Sequence, residues 1–124
     1  MGKASDENLP VCELREYLRY DPDSGNLYWL ERSASMFGHT SNPEAQCKKF
    51  NMRFSGAEAL TTDCGKGYRV GKVAQVIVKA HRVCWALHSG GWPDGDVYHK
   101  NGDRKDNRAK NLAMRNVVEF DLDL

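Results

Sequence analysis

The sequence predicts a small α+β protein that folds as a single domain. Its 124 residues are enough for one ordinary domain and too few for two. Charged residues make up 28% and hydrophobic residues 40% of the chain, which is typical of a globular protein in water. β-rich runs alternate with segments of helical periodicity, and neither type dominates. This mixture indicates an N-terminal helix and strand, a central β-hairpin with a packed helix, and a C-terminal hairpin.

The first half of the chain is predicted to contain a tail, a helix, a strand and a long loop. Residues 1–10 are polar and predict a flexible N-terminus, and residues 11–66 form the N-terminal segment of the domain. Apolar positions in VCELREYLRY recur at helical spacing, which favours a short amphipathic helix. The turn-forming run DPDSGN then leads to a strand in LYWL. Residues 31–50 lack a steady period and predict a long loop with a possible function, and FNMRF and GAEALTT fit a helical or an extended piece equally well.

The second half, residues 67–124, gives clearer signals and is the predicted core. Two β-rich runs, YRVGKV and QVIVKA, predict a hairpin that turns at residues 73–75. The run AHRVCWALHSGG predicts a helix of about three turns that ends at Gly90 and Gly91. VYHKN is the end of a strand and NLAMRNVV a returning strand, so GDRKDNRAK forms a basic loop between them.

Positive charge is concentrated in this last loop, although the formal net charge of the chain is only +1. Between residues 99 and 115, six cations and two carboxylates leave a local charge of +4. The six cations are Lys100, Arg104, Lys105, Arg108, Lys110 and Arg115. This patterning favours phosphate contacts, although an ordinary solvated face fits the same charges.

Other features of the sequence exclude several classes of protein. No apolar run approaches the length of a membrane span, and the polar N-terminus does not resemble a signal peptide. The four cysteines form no CxxC pair, so a structural zinc site is not indicated. Free thiols therefore predict a cytoplasmic protein.

Two stretches of the second half carry a family resemblance. They are GKGYRVGKVAQVIVKAHRVCWALHSGGWP and VYHKNGDRKDNRAKNL, and the upstream segments YDPDSGNLYW and FNMRFSGAEALTT extend the likeness over roughly residues 11–116. They resemble the phage-type HNH endonucleases, which include homing-type nickases. The resemblance implies a C-terminal ββα-metal motif, in which a hairpin and a helix hold one Mg²⁺ or Mn²⁺ ion against the scissile phosphate of DNA.

The resemblance also implies roles for individual residues. His99 matches the general base, and Asn111 matches the residue that orients this histidine through a hydrogen bond. Five further residues match the turn that folds the hairpin, where Asn and Asp side chains bond to their own backbone. These five are Asn101, Gly102, Asp103, Asp106 and Asn107. The six cations of the loop are expected to contact backbone phosphates.

Two metal-ligand positions depart from the family pattern. Tyr98 stands where the family has an Asp, and a neutral phenol with a pKa near ~10 is a poor ligand for Mg²⁺. The second ligand position falls on Phe120, so Glu119 or Asp121 would have to take its place. The chain ends at Leu124, which predicts a truncated final helix.

Two functions from different classes follow from these observations. The first is a metal-dependent DNA-nicking endonuclease, phage-encoded and active in the cytoplasm of the host cell. The second is a catalytically inactive HNH-fold protein that binds nucleic acid or inhibits a host protein, because a fold does not guarantee the ancestral activity. A third explanation treats Tyr98 as an engineered inactivating substitution.

Overall fold

The computed structural model describes residues 8–115 as a mixed α+β domain with three α-helices and three small antiparallel sheets. The helices are α1 (Val11–Tyr17), α2 (Pro43–Phe54) and α3 (Ala80–Ser89). The strands are β1 (Leu18–Asp21), β2 (Asn26–Trp29), β3 (Glu58–Ala59), β4 (Thr62–Asp63), β5 (Arg69–Val73), β6 (Val76–Lys79), β7 (Asp96–His99) and β8 (Leu112–Arg115). Short 3₁₀ turns lie at Ala34–Phe37 and Ala109–Asn111. The predicted α+β fold class is confirmed.

Each sheet is built from neighbouring strands of the chain. The sheets have the orders β1-β2-β3, β4-β5-β6 and β7-β8. The predicted central hairpin is confirmed as β5 and β6, where Val73 pairs with Val76 across the turn. The predicted C-terminal hairpin is confirmed as β7 and β8, where His99 pairs with Leu112. The second hairpin therefore fixes where the basic loop begins and ends.

Helix α3 is the element around which the other elements pack. It follows β6 directly and contacts α1, β1, β5, β6 and β7. Its C-terminus is the predicted one, because Gly90 adopts the left-handed backbone (φ 94°) and its N–H donates to the Ala86 carbonyl. The most deeply buried side chains of the core are Leu14, Val73, Val78, Val83 and Cys84. Burial raises the pKa of the Cys84 thiol, so it remains neutral in the core.

The start of the domain differs from the prediction in two respects. Leu18 and the three residues after it form β1 instead of extending α1, because Leu18 has extended backbone angles and pairs with Trp29. Strand pairing here outweighs the local helical period. The predicted tail of residues 1–10 does not include Leu9, which is buried and accepts a 2.7 Å hydrogen bond from Trp92 Nε1. Residues 1–7 lie outside the described part of the chain.

The prediction of a long loop over residues 31–50 was wrong, because α2 begins at Pro43. Asn42 caps the helix by accepting a hydrogen bond from the Ala45 N–H, Pro43 occupies the first turn, and Glu44 follows it. Only Cys47 of the helix is buried. The periodicity of apolar residues in α2 is therefore weak, and the capping residues at its N-terminus are the better indication of a helix.

The described residues support the expectation of free thiols. All four cysteines are free, with Cys12 and Cys64 exposed and Cys47 and Cys84 buried. Within residues 8–115, none of the helices combines the length and the apolar content that a membrane crossing requires.

Candidate functional site

The candidate site is built on the loop that joins β7 to β8, residues 100–111. Asn111 is buried and closes this loop with its side chain. Its Oδ1 accepts from the Asn101 N–H at 3.0 Å, and its Nδ2 donates to Asn101 Oδ1 at 2.9 Å and to the Asp106 carbonyl at 2.8 Å. These three bonds tie both halves of the loop to the start of β8.

His99 is buried at the end of β7 and is held by Asn107. Its Nε2 lies 2.8 Å from Asn107 Oδ1. Because an amide oxygen can only accept, the contact places a proton on Nε2, and in the neutral tautomer the lone pair is then on Nδ1. This corrects the expectation that Asn111 bonds to His99. The Asn111 amide is instead committed to Asn101 and Asp106.

Asn107 is in turn held by the β1–β2 hairpin, far away in the sequence. The Tyr20 hydroxyl donates to the Asn107 carbonyl at 2.6 Å, and the Ala109 N–H donates to the Pro22 carbonyl at 3.0 Å. Burial raises the pKa of Tyr20, so its hydroxyl remains protonated and can donate. The segment YDPDSGN thus supports the residue that holds His99. This segment resembles the family, but its spacing gave no indication of this role.

The tip of the β1–β2 hairpin touches the site loop at Gly25. This residue has φ 81°, and a Cβ atom there would lie 2.5 Å from the Arg108 nitrogen and 2.6 Å from the Asn107 carbonyl carbon. Any larger residue must therefore move the backbone that carries Asn107.

We expect Gly25→Ala to lower the free energy of unfolding by about 2–4 kcal/mol, from the left-handed backbone and the steric overlap together. Gly56→Ala is the matched control, since Gly56 has φ 84° and no atom within 4 Å of the added Cβ. The control isolates the backbone cost, about 1–2 kcal/mol. Urea unfolding of both variants measures the difference, and equal losses would refute the contact.

Two further rings lie next to the His99 ring. The His81 ring centroid is 5.3 Å from that of His99, and the Tyr68 ring stacks on His81 at 5.0 Å. His81 is buried at the beginning of α3. The Arg104 guanidinium lies 4.6 Å above the Tyr68 ring. The first turn of α3 therefore contributes a second imidazole beside His99.

The cations of the loop differ in how far other groups already engage them. Lys100 and Lys110 are exposed, and within residues 8–115 their side chains form no hydrogen bond or ion pair. Arg104 donates to the Lys66 carbonyl at 2.6 Å, and Lys105 lies 3.8 Å from Asp63. Lys100 and Lys110 are thus the loop cations most available to phosphates.

Arg108 is bound inside the loop by Asp106. Its Nε and Nη2 donate to the two carboxylate oxygens of Asp106 at 2.8 and 2.6 Å. This hydrogen bonding holds the pKa of Asp106 well below its usual value. The Asp106–Arg108 pair therefore contributes its full stabilisation at pH values above the usual pKa of an Asp. This stabilisation is lost as the pH falls through the lowered pKa of Asp106. This bidentate ion pair holds the conformation of the loop, and it leaves Arg108 less available to a phosphate than an unpaired cation would be.

The position of the family's Asp ligand does not fit a divalent cation in this chain. The Tyr98 ring is 37% exposed, and the Arg115 guanidinium lies 4.5 Å from its centroid. The Arg115 guanidinium repels a divalent cation, and a phenol is a poor substitute for the carboxylate oxygens that Mg²⁺ prefers. Residues 8–115 contain no group of three or more His, Cys, Asp or Glu side chains that could hold a metal ion. The other predicted ligands, Glu119 and Asp121, and the predicted final helix lie outside the described residues.

The comparison with known protein families agrees with this geometry. Neither a curated protein nor a solved structure matches the chain. A family model described as HNH endonuclease matches residues 78–118, from the end of β6 through α3, His99 and the whole site loop to beyond β8. Residues 78–118, about a third of the chain, are therefore similar to the HNH endonuclease family.

Proposed function

We propose that this chain binds DNA with the loop of residues 100–111 and hydrolyses phosphodiester bonds, with His99 as the general base. The observation that supports this proposal is the contact between the His99 Nε2 and Asn107 Oδ1 at 2.8 Å. Because this contact leaves the lone pair of Nδ1 available, His99 can accept the proton of an attacking water. The match to the HNH endonuclease model supplies the reaction class.

The neighbours of His99 have distinct roles in this proposal. Asn107 orients the imidazole, and Tyr20 holds the backbone of Asn107 from the β1–β2 hairpin. Lys100 and Lys110 contact the phosphates on either side of the bond that is cut. One such site in each chain cuts one strand, so we expect nicks and not double-strand breaks.

Dependence on Mg²⁺ or Mn²⁺ is part of the proposal, and the carboxylate ligands would have to come from Glu119 or Asp121. Tyr98 does not supply one, because its side chain is a phenol beside Arg115. The phage origin and the host cytoplasm that the resemblance implied stay predictions.

The second candidate function is a DNA-binding protein that no longer cuts, and inhibition of a host protein is a further form of it. One observation favours this candidate: the cation–π contact of Arg115 with Tyr98, at 4.5 Å, occupies the position of the family's metal ligand. In this case the loop of residues 100–111 would retain its affinity for phosphates.

A plasmid assay with variants of residue 98 separates the two functions. Supercoiled DNA is incubated with Mg²⁺, with Mn²⁺ or with EDTA, and the open-circular product is measured. We expect nicking by the wild-type protein with either ion, and an increase of at least about tenfold for Tyr98→Asp, which supplies a carboxylate. Tyr98→Asn is the matched control, because it removes the same ring contact without adding a charge.

The outcomes of this assay distinguish the candidates clearly. If the wild-type protein leaves the plasmid intact with both ions but Tyr98→Asp cuts it, the natural protein is a binding protein with an inactivated site. If neither cuts and both retard the DNA in a gel, the nuclease proposal is refuted and the binding proposal stands. If Tyr98→Asp and Tyr98→Asn behave alike, the carboxylate at position 98 is irrelevant to the activity.

A further inference from the structure

A second concentration of positive charge lies outside the HNH segment of residues 78–118. A cleft of about 440 Å³ is lined by Arg32, His39 and Lys72, together with Tyr17, Met36, Phe37, Ala74 and Gln75. Its lining contains two permanent cations and one histidine, and no carboxylate. This cleft, which we name the Arg32 cleft, shares no lining residue with the loop of residues 100–111 and is a separate feature.

Arg32 is the fixed cation of the Arg32 cleft. Its guanidinium carbon lies 3.8 Å from the centroid of the Phe50 ring, 4.9 Å from that of Tyr17 and 5.3 Å from that of Trp29. Its backbone is held by Asn51, which accepts from the Arg32 N–H at 2.8 Å and donates to the Arg32 carbonyl at 2.9 Å. A long side chain that is packed in this way loses little further freedom when it binds a ligand.

The charge of Arg32 has no counter-ion in the described part of the chain. Among residues 8–115, no carboxylate forms an ion pair with Arg32, and its buried Nε–H finds no acceptor. Partial burial lowers the pKa of the Arg32 guanidinium below its usual value. A partly desolvated cation without a counter-ion is costly, and an anion that binds beside it removes part of this cost.

The other walls of the Arg32 cleft are formed by Lys72, His39 and the β5–β6 turn. Lys72 is exposed on β5, and His39 is exposed after the first 3₁₀ turn. The β5–β6 turn on the same side places Ala74 and Gln75 in the left-handed region, at φ 49° and 70°. Such turns usually contain Asn or Gly, and strain of this kind in other proteins clusters at functional sites.

We propose that the Arg32 cleft binds a phosphate group of the same DNA strand or duplex that the HNH loop engages. The proposal rests on the proposed function, because it takes the anion to be a nucleic-acid phosphate. Arg32 provides a preorganised fork of donors, Lys72 a flexible second charge, and Tyr17 and Phe37 provide apolar contact for the sugar or base. The segment that the sequence marked as a functional loop, residues 31–50, contributes four of the lining residues.

Lys72→Ala tests this assignment, with Lys49→Ala as the matched control. Both lysines are exposed, so neither substitution threatens folding, and Lys49 on α2 does not line the Arg32 cleft. Affinity for a 20-base-pair duplex is measured by fluorescence anisotropy in EDTA at several salt concentrations. We expect Lys72→Ala to weaken binding about 3- to 10-fold and to reduce the slope of log affinity against log salt by about 1. Lys49→Ala should match the wild-type protein.

Titration with inorganic phosphate, monitored by amide chemical shifts of the full chain, identifies the source of the anion. Shifts confined to residues 36–39 and 72–75, and absent in Lys72→Ala, show that the Arg32 cleft binds phosphate. If Lys72→Ala and Lys49→Ala bind DNA equally, the assignment to a DNA phosphate is overturned, whether or not free phosphate binds. If the protein does not cut DNA but Lys72→Ala weakens binding, the Arg32 cleft assignment is upheld and only the nuclease function is refuted. If the protein cuts DNA but Lys72→Ala binds normally, the nuclease function stands and the Arg32 cleft assignment is refuted.

Discussion

Replacing His99 with alanine is expected to slow plasmid nicking by about 10²–10⁴-fold, the usual contribution of a general base. The His99 imidazole is buried at the end of β7, and its Nε2 lies 2.8 Å from Asn107 Oδ1. Affinity for DNA should change little, since the phosphate contacts come from Lys100 and Lys110. Initial nicking rates and binding curves of the same preparation measure the two effects separately.

His88→Ala is the control for this substitution, because His88 is an exposed histidine on α3. It should nick DNA within about twofold of the wild-type protein. His99→Ala also leaves the Asn107 amide without its partner, a loss of about 1–3 kcal/mol, so unfolding is measured alongside. A folded His99→Ala protein that nicks at the wild-type rate would show that another group activates the water.

The central part of the fold could be predicted because its signals are local. The β5–β6 hairpin is rich in Val and Ile, and α3 carries its apolar residues on one face and stops at Gly90. Helix α2 was missed because only Cys47 on it is buried, so hydrophobic spacing carried little information there. Strand β1 was missed because it is held by pairing with β2, from Leu18 with Trp29 to Asp21 with Asn26, and not by its own period.

The site could be predicted only as a set of residues, because its hydrogen bonds depend on the folded loop. Sequence spacing indicated His99 and the Asn-rich turn, but it could not decide which amide faces the imidazole. In the structure Asn107 does so, and Asn111 faces inward to the loop backbone. The support from Tyr20 crosses 87 positions of the chain, a separation at which one sequence carries no pairing signal.

The same limit applies to charge. The loop of residues 100–111 and β8 contain six cations that are equivalent in the sequence. In the fold, Arg108 is bound by Asp106 and Arg115 lies on Tyr98, whereas Lys100 and Lys110 stay exposed. Composition gives the local charge, and only geometry shows which of these charges can reach a phosphate.

Asn111→Ala is expected to lower the free energy of unfolding by about 2–4 kcal/mol. The substitution removes three hydrogen bonds of a buried side chain and leaves the Asn101 N–H and the Asp106 carbonyl without these partners. For a domain of this size the midpoint of thermal unfolding should fall by roughly 10 °C. Calorimetry or circular dichroism measures this change.

Two further variants separate loop closure from direct catalysis by Asn111. Asn26→Ala removes a single 3.2 Å hydrogen bond of a half-buried side chain, and should cost less than about 1 kcal/mol. Asn111→Asp keeps the shape but replaces the donor Nδ2 with an oxygen, so it should destabilise as strongly as Asn111→Ala. If Asn111 instead bonded to His99 during the reaction, Asn111→Asp would retain stability and change only the rate. The equal destabilisation that we expect follows because both donor bonds of Asn111 end on oxygen atoms of the loop itself.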